Sequence, residues 1–343
     1  MTTRILVTGP LGCFGIATIK WLLAAGHHEI IAFGRSVTPQ RLLDTFGSEH
    51  AEHIRSVAGS VANHGQLESV FREFRPTHVA HFAGLQTPDC QNNPAIGWET
   101  NVSGTENIYR LGSDELYRSE LERIVAISSA AVYGPASLYP DKPVKEDAAV
   151  RKSTVYSKTK IAVELIAERY WEMHGRSSLV TRPFICFGPG RHQGMSAAYT
   201  MAIIATALKM EFIIPFFGTY DFSYVPDVGE THGRLLVDDA PNEFSIYNIP
   251  SQCMETREFC QLVKQASAEL DCAQGCNIQF SDDRDMPTTC NLDWARIKND
   301  FHVPCTPLPV AIRQTLRFYL DEVAAGRITA DLVDQWAAGN TSY

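Results

Sequence analysis

The 343-residue sequence lacks an excess of positive charge and a long apolar run. Its formal net charge of −9 leaves no basic surface of the kind that binds nucleic acid or an anionic membrane. The most apolar stretch, residues 201–217, contains Lys209 and Glu211 and is too short to span a bilayer. We therefore predict a globular chain with no nucleic-acid partner and no membrane partner.

The sequence also lacks a Cys-x-x-Cys pair. Because an apolar strand is predicted within the first residues, we expect no signal peptide. The nine cysteines are therefore expected to be reduced thiols, and the chain is expected to be cytoplasmic. Cys272 and Cys276 lie four residues apart with no histidine or second cysteine pair at ligand spacing, so no metal site is predicted.

A glycine-rich turn is present at residues 8–15, between the apolar run 4–7 and a helical pattern at 16–26. Its glycines have the spacing G-x-x-G-x-x-G, one residue longer than the common dinucleotide fingerprint. In a strand–turn–helix unit, backbone N–H groups and the helix dipole attract a diphosphate. The turn therefore predicts a dinucleotide site with contacts from Gly9, Leu11, Gly12, Cys13, Phe14 and Gly15.

Strand and helix patterns alternate through the first half of the chain. Apolar strands are predicted at 4–7, 29–33, 54–58, 77–82, 123–127 and 178–182, and long helices at 94–118 and 155–175. This alternation predicts an α/β fold, a Rossmann-type doubly wound parallel sheet, with a smaller C-terminal substrate-binding lobe. We expect residues 1–182 to form the dinucleotide-binding domain, with 222–248 returning to it, and 183–221 and 249–343 to form the lobe.

The end of the second strand bears on the choice of cofactor. NAD-binding chains usually have a carboxylate there, whereas this sequence has Gly34, followed by Arg35 and Ser36. A guanidinium and a hydroxyl suit a 2′-phosphate, so the sequence favours NADP, with NAD possible. Two later strand ends are expected to border the adenine and the nicotinamide: Ser60 and Val61 for the first, and Phe82, Ala83 and Gly84 for the second.

Ser129 closes the fifth strand, and Tyr156 and Lys160 open the next helix with the spacing Tyr-x-x-x-Lys. That spacing places both side chains on one helical face, one turn apart. A lysine cation at this distance favours the phenolate and is expected to lower the tyrosine pKa from about 10. We predict that Tyr156 exchanges a proton with the substrate while Ser129 holds the substrate oxygen.

These motifs resemble the extended short-chain dehydrogenase/reductase family, which includes nucleotide-sugar epimerases and dehydratases. The resemblance covers nearly the whole chain and includes the glycine turn, Tyr156-x-x-x-Lys160 and four further segments: His81-x-Ala83, Asn101-Val102-x-Gly104-Thr105, Arg182-Pro183 and Tyr224-Val225-x-Asp227. It implies a catalytic triad of Ser129, Tyr156 and Lys160, with Lys160 also on the nicotinamide ribose. It further implies cofactor contacts from Asn101 and Pro183, and a homodimer formed by the helices at 94–118 and 155–175.

Three positions depart from the pattern of family members that bind nucleotide sugars. Ile185 and Tyr220 stand where an asparagine and an arginine are usual, and Asp282 stands where a second arginine is expected, unless a two-residue slip restores Arg284. Because a diphosphate needs several donors, these departures favour a smaller substrate. We expect a small polyhydroxy or acidic molecule bound by Gln86, Thr87, Ser129, Tyr156, Arg191 and His192.

The sequence thus predicts an NAD(P)-dependent oxidoreductase or epimerase acting at a secondary alcohol or ketone. One hydride transfer makes a dehydrogenase and two make an epimerase, and the residues do not separate these outcomes. A nucleotide-sugar 4-epimerase or dehydratase is the alternative enzyme. A non-catalytic regulator that senses NADP is the alternative outside enzymes, although such relatives usually lose the Tyr-x-x-x-Lys pair that this chain keeps.

Overall fold

A computed structural model describes residues 3–239, 243–274, 277–281, 286 and 288–340. The strands are β1 Ile5–Thr8, β2 Ile30–Gly34, β3 Ile54–Ala58, β4 His78–His81, β5 Arg123–Ile127, β6 Ser177–Arg182, β7 Ile185–Phe187, β8 Glu211–Ile214, β9 Thr219–Tyr224, β10 Phe244–Asn248, β11 Gln252–Glu255 and β12 Asn277–Phe280. The helices are α1 Cys13–Ala24, α2 Pro39–Phe46, α3 Ser48–Ala51, α4 His64–Phe74, α5 Thr87–Asn92, α6 Pro94–Trp98, α7 Gly104–Ser113, α8 Val155–His174, α9 Ala198–Ala207, α10 Val225–Val237, α11 Thr256–Glu269, α12 Ala295–Asp300, α13 Leu308–Ala324 and α14 Ala330–Asn340.

The main sheet has seven strands in the order β10-β6-β5-β4-β1-β2-β3, and every pairing in it is parallel. Helices cover both faces: α1 and α10 pack together on one face, and α4, α7 and α8 lie on the other. The central strand β1 is therefore wholly buried, which is why its sequence is a continuous apolar run. The predicted doubly wound α/β fold is confirmed.

The helix predicted at 94–118 is shorter and less regular than expected. It runs through α6, a π-helical turn at Glu99–Ser103, and α7, and it ends at Ser113. Asp114 has an extended backbone, and its carboxylate accepts a hydrogen bond from the N–H of Leu116 at 2.8 Å. This local turn replaces the next helical hydrogen bonds and ends the helix. The second predicted helix is close to α8, which Thr154 caps at its start.

The later part of the chain forms shorter elements, as its sequence predicts. β7, β9 and β11 make a three-stranded sheet, and β8 pairs with β12. Their apolar residues pack with α9, α11 and α13 into a separate core cluster. β10 instead pairs with β6 in the main sheet, while the division into two domains stays a prediction. Within the described residues, none of the helices combines the length and apolar character needed to cross a membrane.

Candidate functional site

A cleft of about 290 Å³ opens at the carboxyl ends of the central strands. This is the edge of the sheet where ligands of doubly wound folds bind. Fourteen residues that the sequence assigns to the site line the cleft: Gly9, Gly12, Cys13, Phe14, Gly15, Phe82, Gly84, Gln86, Thr87, Ser129, Tyr156, Lys160, Pro183 and Arg191. The structure therefore brings the glycine turn, the Tyr-x-x-x-Lys pair and Arg191 into one cavity.

The glycine turn leaves room for a ligand at the start of α1. Gly9 has φ 66°, and a Cβ there would lie 2.8 Å from the backbone nitrogen of Ala83. A Cβ on Gly15 would lie 2.4 Å from the carbonyl oxygen of Gly9, so α1 packs on the turn only if this residue is glycine. No side chain caps α1, and its first turn carries no acidic residue. The start of α1 therefore carries no side chain that would compete with or repel a bound anion.

Tyr156 and Lys160 share one face of α8, as their spacing predicts. The Lys160 ammonium lies 5.7 Å from the centre of the Tyr156 ring and donates to the carbonyl oxygen of Ile127 at 2.9 Å. The Tyr156 hydroxyl is hydrogen-bonded to the side chain of Ser129. Ser129 is held in place because its Oγ also accepts from the N–H of Ala131 at 3.2 Å.

Burial decides the electrostatics of these groups. It raises the pKa of Tyr156 above its ordinary value of 10, although the hydrogen bond with Ser129 and the charge of Arg191 both oppose the shift. It also lowers the pKa of Lys160 to about 8, while the Glu164 carboxylate opposes that shift. The predicted lowering of the Tyr156 pKa by Lys160 is not found in the chain by itself, because desolvation of the phenolate outweighs the opposing effects of Ser129 and Arg191.

A buried polar network lies next to the start of α8, which carries Tyr156 and Lys160. Arg182 donates to both oxygens of Glu164 at 2.8 Å and to the Tyr133 hydroxyl at 2.7 Å. Ser128 donates to Glu164 at 2.5 Å and to the carbonyl oxygen of Lys160 at 3.4 Å. The network connects the ends of β5 and β6 to α8, the helix that carries Tyr156 and Lys160. Of its members, only Arg182 belongs to a motif recognised in the sequence.

Asn101 lies behind the cleft instead of lining it. Its side-chain oxygen accepts from the N–H of Leu85 at 2.7 Å. Its side-chain nitrogen donates to the carbonyl oxygen of Leu85 at 3.0 Å and to the hydroxyl of Thr159 at 3.1 Å. These bonds hold the loop after β4, which carries Gly84 and Gln86 into the cleft. The structure thus places Asn101 as a support for this loop, since its donors and acceptor are already engaged.

Further predicted cofactor residues extend from the cleft along the same edge of the sheet. Arg35 and Ser36 are exposed at the end of β2, next to the half-buried Gly34. Ser60 and Leu11 are half-buried, and the N–H of Ala83 donates to the Thr8 hydroxyl at 3.2 Å. Val61 differs, because its side chain is buried against Gly104 in the apolar core and only its backbone remains for a cofactor.

Arg191 enters the cleft beside the glycine turn. Its guanidinium donates to Gln86 at 3.3 Å and to Ser196 at 3.0 Å, and it is hydrogen-bonded to Cys13. Its Nε is buried, with no hydrogen-bond partner within the described residues. Arg191 and Tyr156 line the same cleft, and the charge of Arg191 acts to lower the pKa of the Tyr156 hydroxyl.

His192, predicted as a substrate residue, points the other way. Its ring stacks on Trp336, with 3.9 Å between ring centres and 9° between planes, and its Nε2 lies 2.8 Å from the Tyr319 hydroxyl. Burial lowers the pKa of His192 to about 4. His192 does not line the cleft, because partners far along the chain set the direction of its side chain, and its contact with a substrate stays a prediction.

The positions that depart from the nucleotide-sugar pattern differ in their surroundings. Ile185 lines the cleft and brings no donor to it. Tyr220 is 1% exposed, lies in an aromatic core, and donates from its hydroxyl to the carbonyl of Phe217. Asp282 and Arg284 lie outside the described residues. Lys160 and Arg191 are the basic residues among the described residues that line the cleft.

The cleft also contains residues that the sequence analysis missed. Met195 and Ser196 follow Arg191 along the chain, while Met286 and Thr288 reach the cleft from the second half. Ser196 was within reach of prediction, because it is a polar residue close to the glycine-framed loop. Met286 and Thr288 carry no local signal, since only the tertiary fold brings their segment to the cleft.

Comparison with known proteins agrees with this geometry. The model of the NAD-dependent epimerase/dehydratase family matches residues 5–249. UDP-glucose 4-epimerase from Pisum sativum is 32% identical over 170 residues, which are 48% of this chain and 46% of that protein. UDP-glucose 4-epimerase from Neisseria meningitidis serogroup C is 30% identical over 138 residues, 40% of each chain. The chain thus spans about half the length of the curated relatives it matches.

Solved structures resemble the chain over nearly its full length. UDP-glucose 4-epimerase from Thermus thermophilus, in complex with NAD, has a TM-score of 0.75 at 22% identity and covers 92% of this chain and 99% of its own. L-threonine dehydrogenase from Clostridium difficile has a TM-score of 0.77 at 18% identity, and the match covers 96% of this chain and 99% of the dehydrogenase. At these identities the likeness shows the fold. Because the family model matches more than half of its residues, the chain belongs to the NAD-dependent epimerase/dehydratase family.

Proposed function

We propose that the chain is an oxidoreductase or epimerase that acts at a secondary alcohol or ketone of a sugar-like, acidic substrate. The observation that carries the proposal is the placement of Tyr156, bonded to Ser129 and facing Arg191, in the same cleft as the glycine turn. A non-catalytic sensor of NADP has no use for this arrangement, so the enzyme is the better account of the geometry.

The chain's own residues divide the chemistry between them. Tyr156, protonated at neutral pH because its pKa is raised, donates its proton to a substrate carbonyl oxygen and recovers it from the alcohol in the reverse direction. Ser129 holds that oxygen through the transfer. Lys160, fixed to the Ile127 carbonyl, holds its charge near the phenol ring. The bound cofactor supplies hydride exchange at its nicotinamide ring.

We further propose that NADP is the preferred cofactor. The open start of α1 accepts the diphosphate of either dinucleotide. At the ribose end, Gly34 brings no carboxylate, while Arg35 and Ser36 are exposed beside it. Arg41 adds a second guanidinium, which donates to the carbonyl oxygen of Ser36 at 3.0 Å. Two guanidinium groups beside the end of β2 would suit the 2′-phosphate of a bound NADP.

A nucleotide-sugar 4-epimerase is the second candidate. The observation in its favour is the identity of about 30% with UDP-glucose 4-epimerases across half of the chain. Against it stand Ile185 and Tyr220, which offer no charged donor to a diphosphate. The small acidic substrate therefore remains the first candidate, with Arg191 as its anchor.

The experiment that tests the proposed activity is Tyr156→Phe. Loss of the hydroxyl is expected to reduce turnover by about 10²–10⁴-fold, the usual range for a general acid or base. Cofactor affinity is expected to stay within about twofold, because the phenyl ring still fills the space. Tyr170→Phe, which removes a hydroxyl bonded to Glu106 outside the cleft, serves as the matched control. Full turnover by Tyr156→Phe would reject the assigned acid.

The substrate class is tested on the same protein by identifying released cofactor by mass and by screening ligands for thermal protection. UDP-glucose, dTDP-glucose, D-glucuronate and D-glucose 6-phosphate form the screen. A ligand that binds the folded state raises its apparent stability. Protection by one of the small acids supports the first candidate, and protection by UDP-glucose supports the second.

We also propose that the chain forms a homodimer through α6 and α8, which pack against each other in one protomer. Large apolar side chains on these helices face solvent: Ile96 and Trp98 are 43% and 42% exposed, and Leu165 and Met173 are 58% and 60% exposed. A second copy that covers this surface would remove these side chains from water.

A further inference from the structure

We propose that the Tyr319 hydroxyl and the Trp336 indole position the loop Gly188–Gly194 so that Arg191 faces the cleft. Tyr319 belongs to α13 and Trp336 to α14, so the proposal makes the last two helices part of the substrate site. It rests on the proposed function, in which Arg191 binds the negative charge of the substrate.

The loop needs external support because its backbone is unusual. Gly188, Gly190 and Gly194 have φ values of 130°, 83° and 88°, in the region that glycine adopts freely. Glycine-rich segments have many accessible backbone conformations, and each contact that selects one of them must offset that entropy. Arg191 lies in the middle of this segment, so the orientation of its side chain depends on the contacts that fix the loop backbone.

Tyr319 provides the first support through a single hydroxyl. That oxygen accepts from the N–H of Gly190 at 3.2 Å, lies 3.4 Å from the carbonyl oxygen of Gly188, and lies 2.8 Å from His192 Nε2. The side chain itself is fully buried in the core of the later half, so it is a fixed point. One rigid atom thus contacts the loop on both sides of Arg191.

Trp336 provides the second support from the other end of the loop. Its indole lies parallel to the His192 ring at 3.9 Å between ring centres. α14 is itself anchored, because Val333 is 2% exposed within the same apolar core that Trp336 borders. His192 is therefore held on the outer side of the loop.

The two consecutive side chains point to opposite sides. With His192 fixed outward, Arg191 is directed into the cleft, where Gln86 and Ser196 accept from its guanidinium. Those two contacts are between side chains that a substrate can displace. Neither Tyr319 nor Trp336 lines the cleft, so a ligand there is not expected to displace their contacts with the loop.

The test compares Tyr319→Phe, Trp336→Ala and Trp336→Phe with the control Tyr247→Phe in the full chain with cofactor bound. Tyr319→Phe keeps the buried ring and removes only the hydroxyl. Trp336→Phe keeps an aromatic face for His192. The control removes the hydroxyl of Tyr247, which is bonded to Asp300. Tyr247 belongs to a different core cluster, beside the main sheet. Hydrogen exchange of the peptide that covers 188–194 reports on the loop directly.

We expect exchange of the loop amides to accelerate by about tenfold in Tyr319→Phe and Trp336→Ala, and to stay near wild type in Trp336→Phe and Tyr247→Phe. The Kd of the acid that the wild type binds, D-glucuronate or D-glucose 6-phosphate, is expected to rise by at least about fivefold in the first two variants. Cofactor Kd is expected to stay constant, which a general loss of structure would not allow.

Wild-type exchange rates in both Tyr319→Phe and Trp336→Ala would overturn the proposal. Faster exchange with an unchanged Kd for an acid that the wild type binds would also overturn the proposal, because the conformation of the loop would then not determine how Arg191 binds the acid. If the wild type binds neither acid while loop exchange rises as expected, the proposed substrate class fails and the positioning of the loop stands.

Discussion

Glu164 and Arg182 form a bidentate ion pair in the interior of the protein, one helical turn from Lys160. Both hydrogen bonds measure 2.8 Å, and the side chains are 7% and 3% exposed. The positive partner is further satisfied by the Tyr133 hydroxyl and by the carbonyl oxygen of Glu146. Because charges this deeply buried are costly unless paired, the ion pair is expected to be sensitive to the loss of either member.

Glu164→Gln is expected to lower the free energy of unfolding by about 3–5 kcal/mol, the usual cost of leaving one charge of a buried pair uncompensated. Urea denaturation measures the loss. The double variant Glu164→Leu with Arg182→Met is expected to recover most of it, since no buried charge remains. Glu322→Gln is the control, because its bidentate pair with Arg327 has the same geometry on the surface. Wild-type stability of Glu164→Gln would contradict the prediction.

Lys160 is expected to cost stability at neutral pH. Its pKa falls from 10.5 to about 8 on burial. Between these values the unfolded chain holds a proton that the folded chain has released, so stability rises with pH through this window. The cost to the free energy of unfolding amounts to about 3–4 kcal/mol, at about 1.4 kcal/mol for each pKa unit.

Unfolding free energies of the wild type and Lys160→Met, measured at several pH values on both sides of this window, check the prediction. The wild type should gain stability relative to the variant as pH rises, while the variant loses turnover at every pH. Lys158→Met, an exposed neighbour on the same helix, should show no such relative change. A constant difference between wild type and Lys160→Met would show that the lysine keeps its ordinary pKa.

Arg35 is expected to set the choice of cofactor. NADP should bind at least about tenfold more tightly than NAD, because a hydrogen bond from a charged group to the 2′-phosphate contributes about 1.5–3 kcal/mol. In Arg35→Ala the two affinities should approach each other, mainly through weaker NADP binding. Fluorescence titration with the reduced cofactors measures both, and Arg72→Ala, on the outer face of α4, is the control. Equal affinities in the wild type would remove the basis of the prediction.

The fold, the glycine turn and the Tyr156–Lys160 pair were predictable because their sequence signals are local. The glycine turn at residues 8–15 must follow a strand and open a helix, and the Tyr156–Lys160 spacing acts within one turn of α8. His192 was not predictable, since its direction depends on Trp336, far along the chain. The Tyr156 pKa was misjudged because spacing shows the nearby charge and says nothing of burial.

The exposed apolar surface on α6 and α8 is expected to form a dimer interface. Leu165→Glu places a charge on this surface, so the variant should run as a monomer in size-exclusion chromatography with light scattering, where the wild type should run as a dimer. Leu165 is 58% exposed in one protomer, and the substitution should therefore leave the fold of that protomer intact. Ile213→Glu, at a residue equally exposed on β8, is the control. A monomeric wild type would reject the interface.

Arg191 is expected to determine which substrates the cleft accepts. Among the described residues its guanidinium donates to the neutral side chains of Gln86 and Ser196 and is hydrogen-bonded to Cys13, and its Nε is buried without a hydrogen-bond partner there. A carboxylate or a phosphate would supply the missing negative charge through two parallel hydrogen bonds. Arg191→Ala should therefore weaken a small acidic substrate by about 1.5–3 kcal/mol and leave cofactor affinity unchanged.

Calorimetric titration of D-glucuronate and D-glucose 6-phosphate into the cofactor-bound wild type and variant measures this loss. Arg191→Lys separates charge from geometry, because an ammonium keeps the charge and cannot make two parallel hydrogen bonds. The affinity of Arg191→Lys for the acid should therefore fall between those of the wild type and Arg191→Ala. UDP should bind the wild type weakly, since Ile185 and Tyr220 offer no charged donor to a diphosphate. Micromolar binding of UDP that survives Arg191→Ala would show that other donors hold the diphosphate, and the nucleotide-sugar epimerase would then become the first candidate.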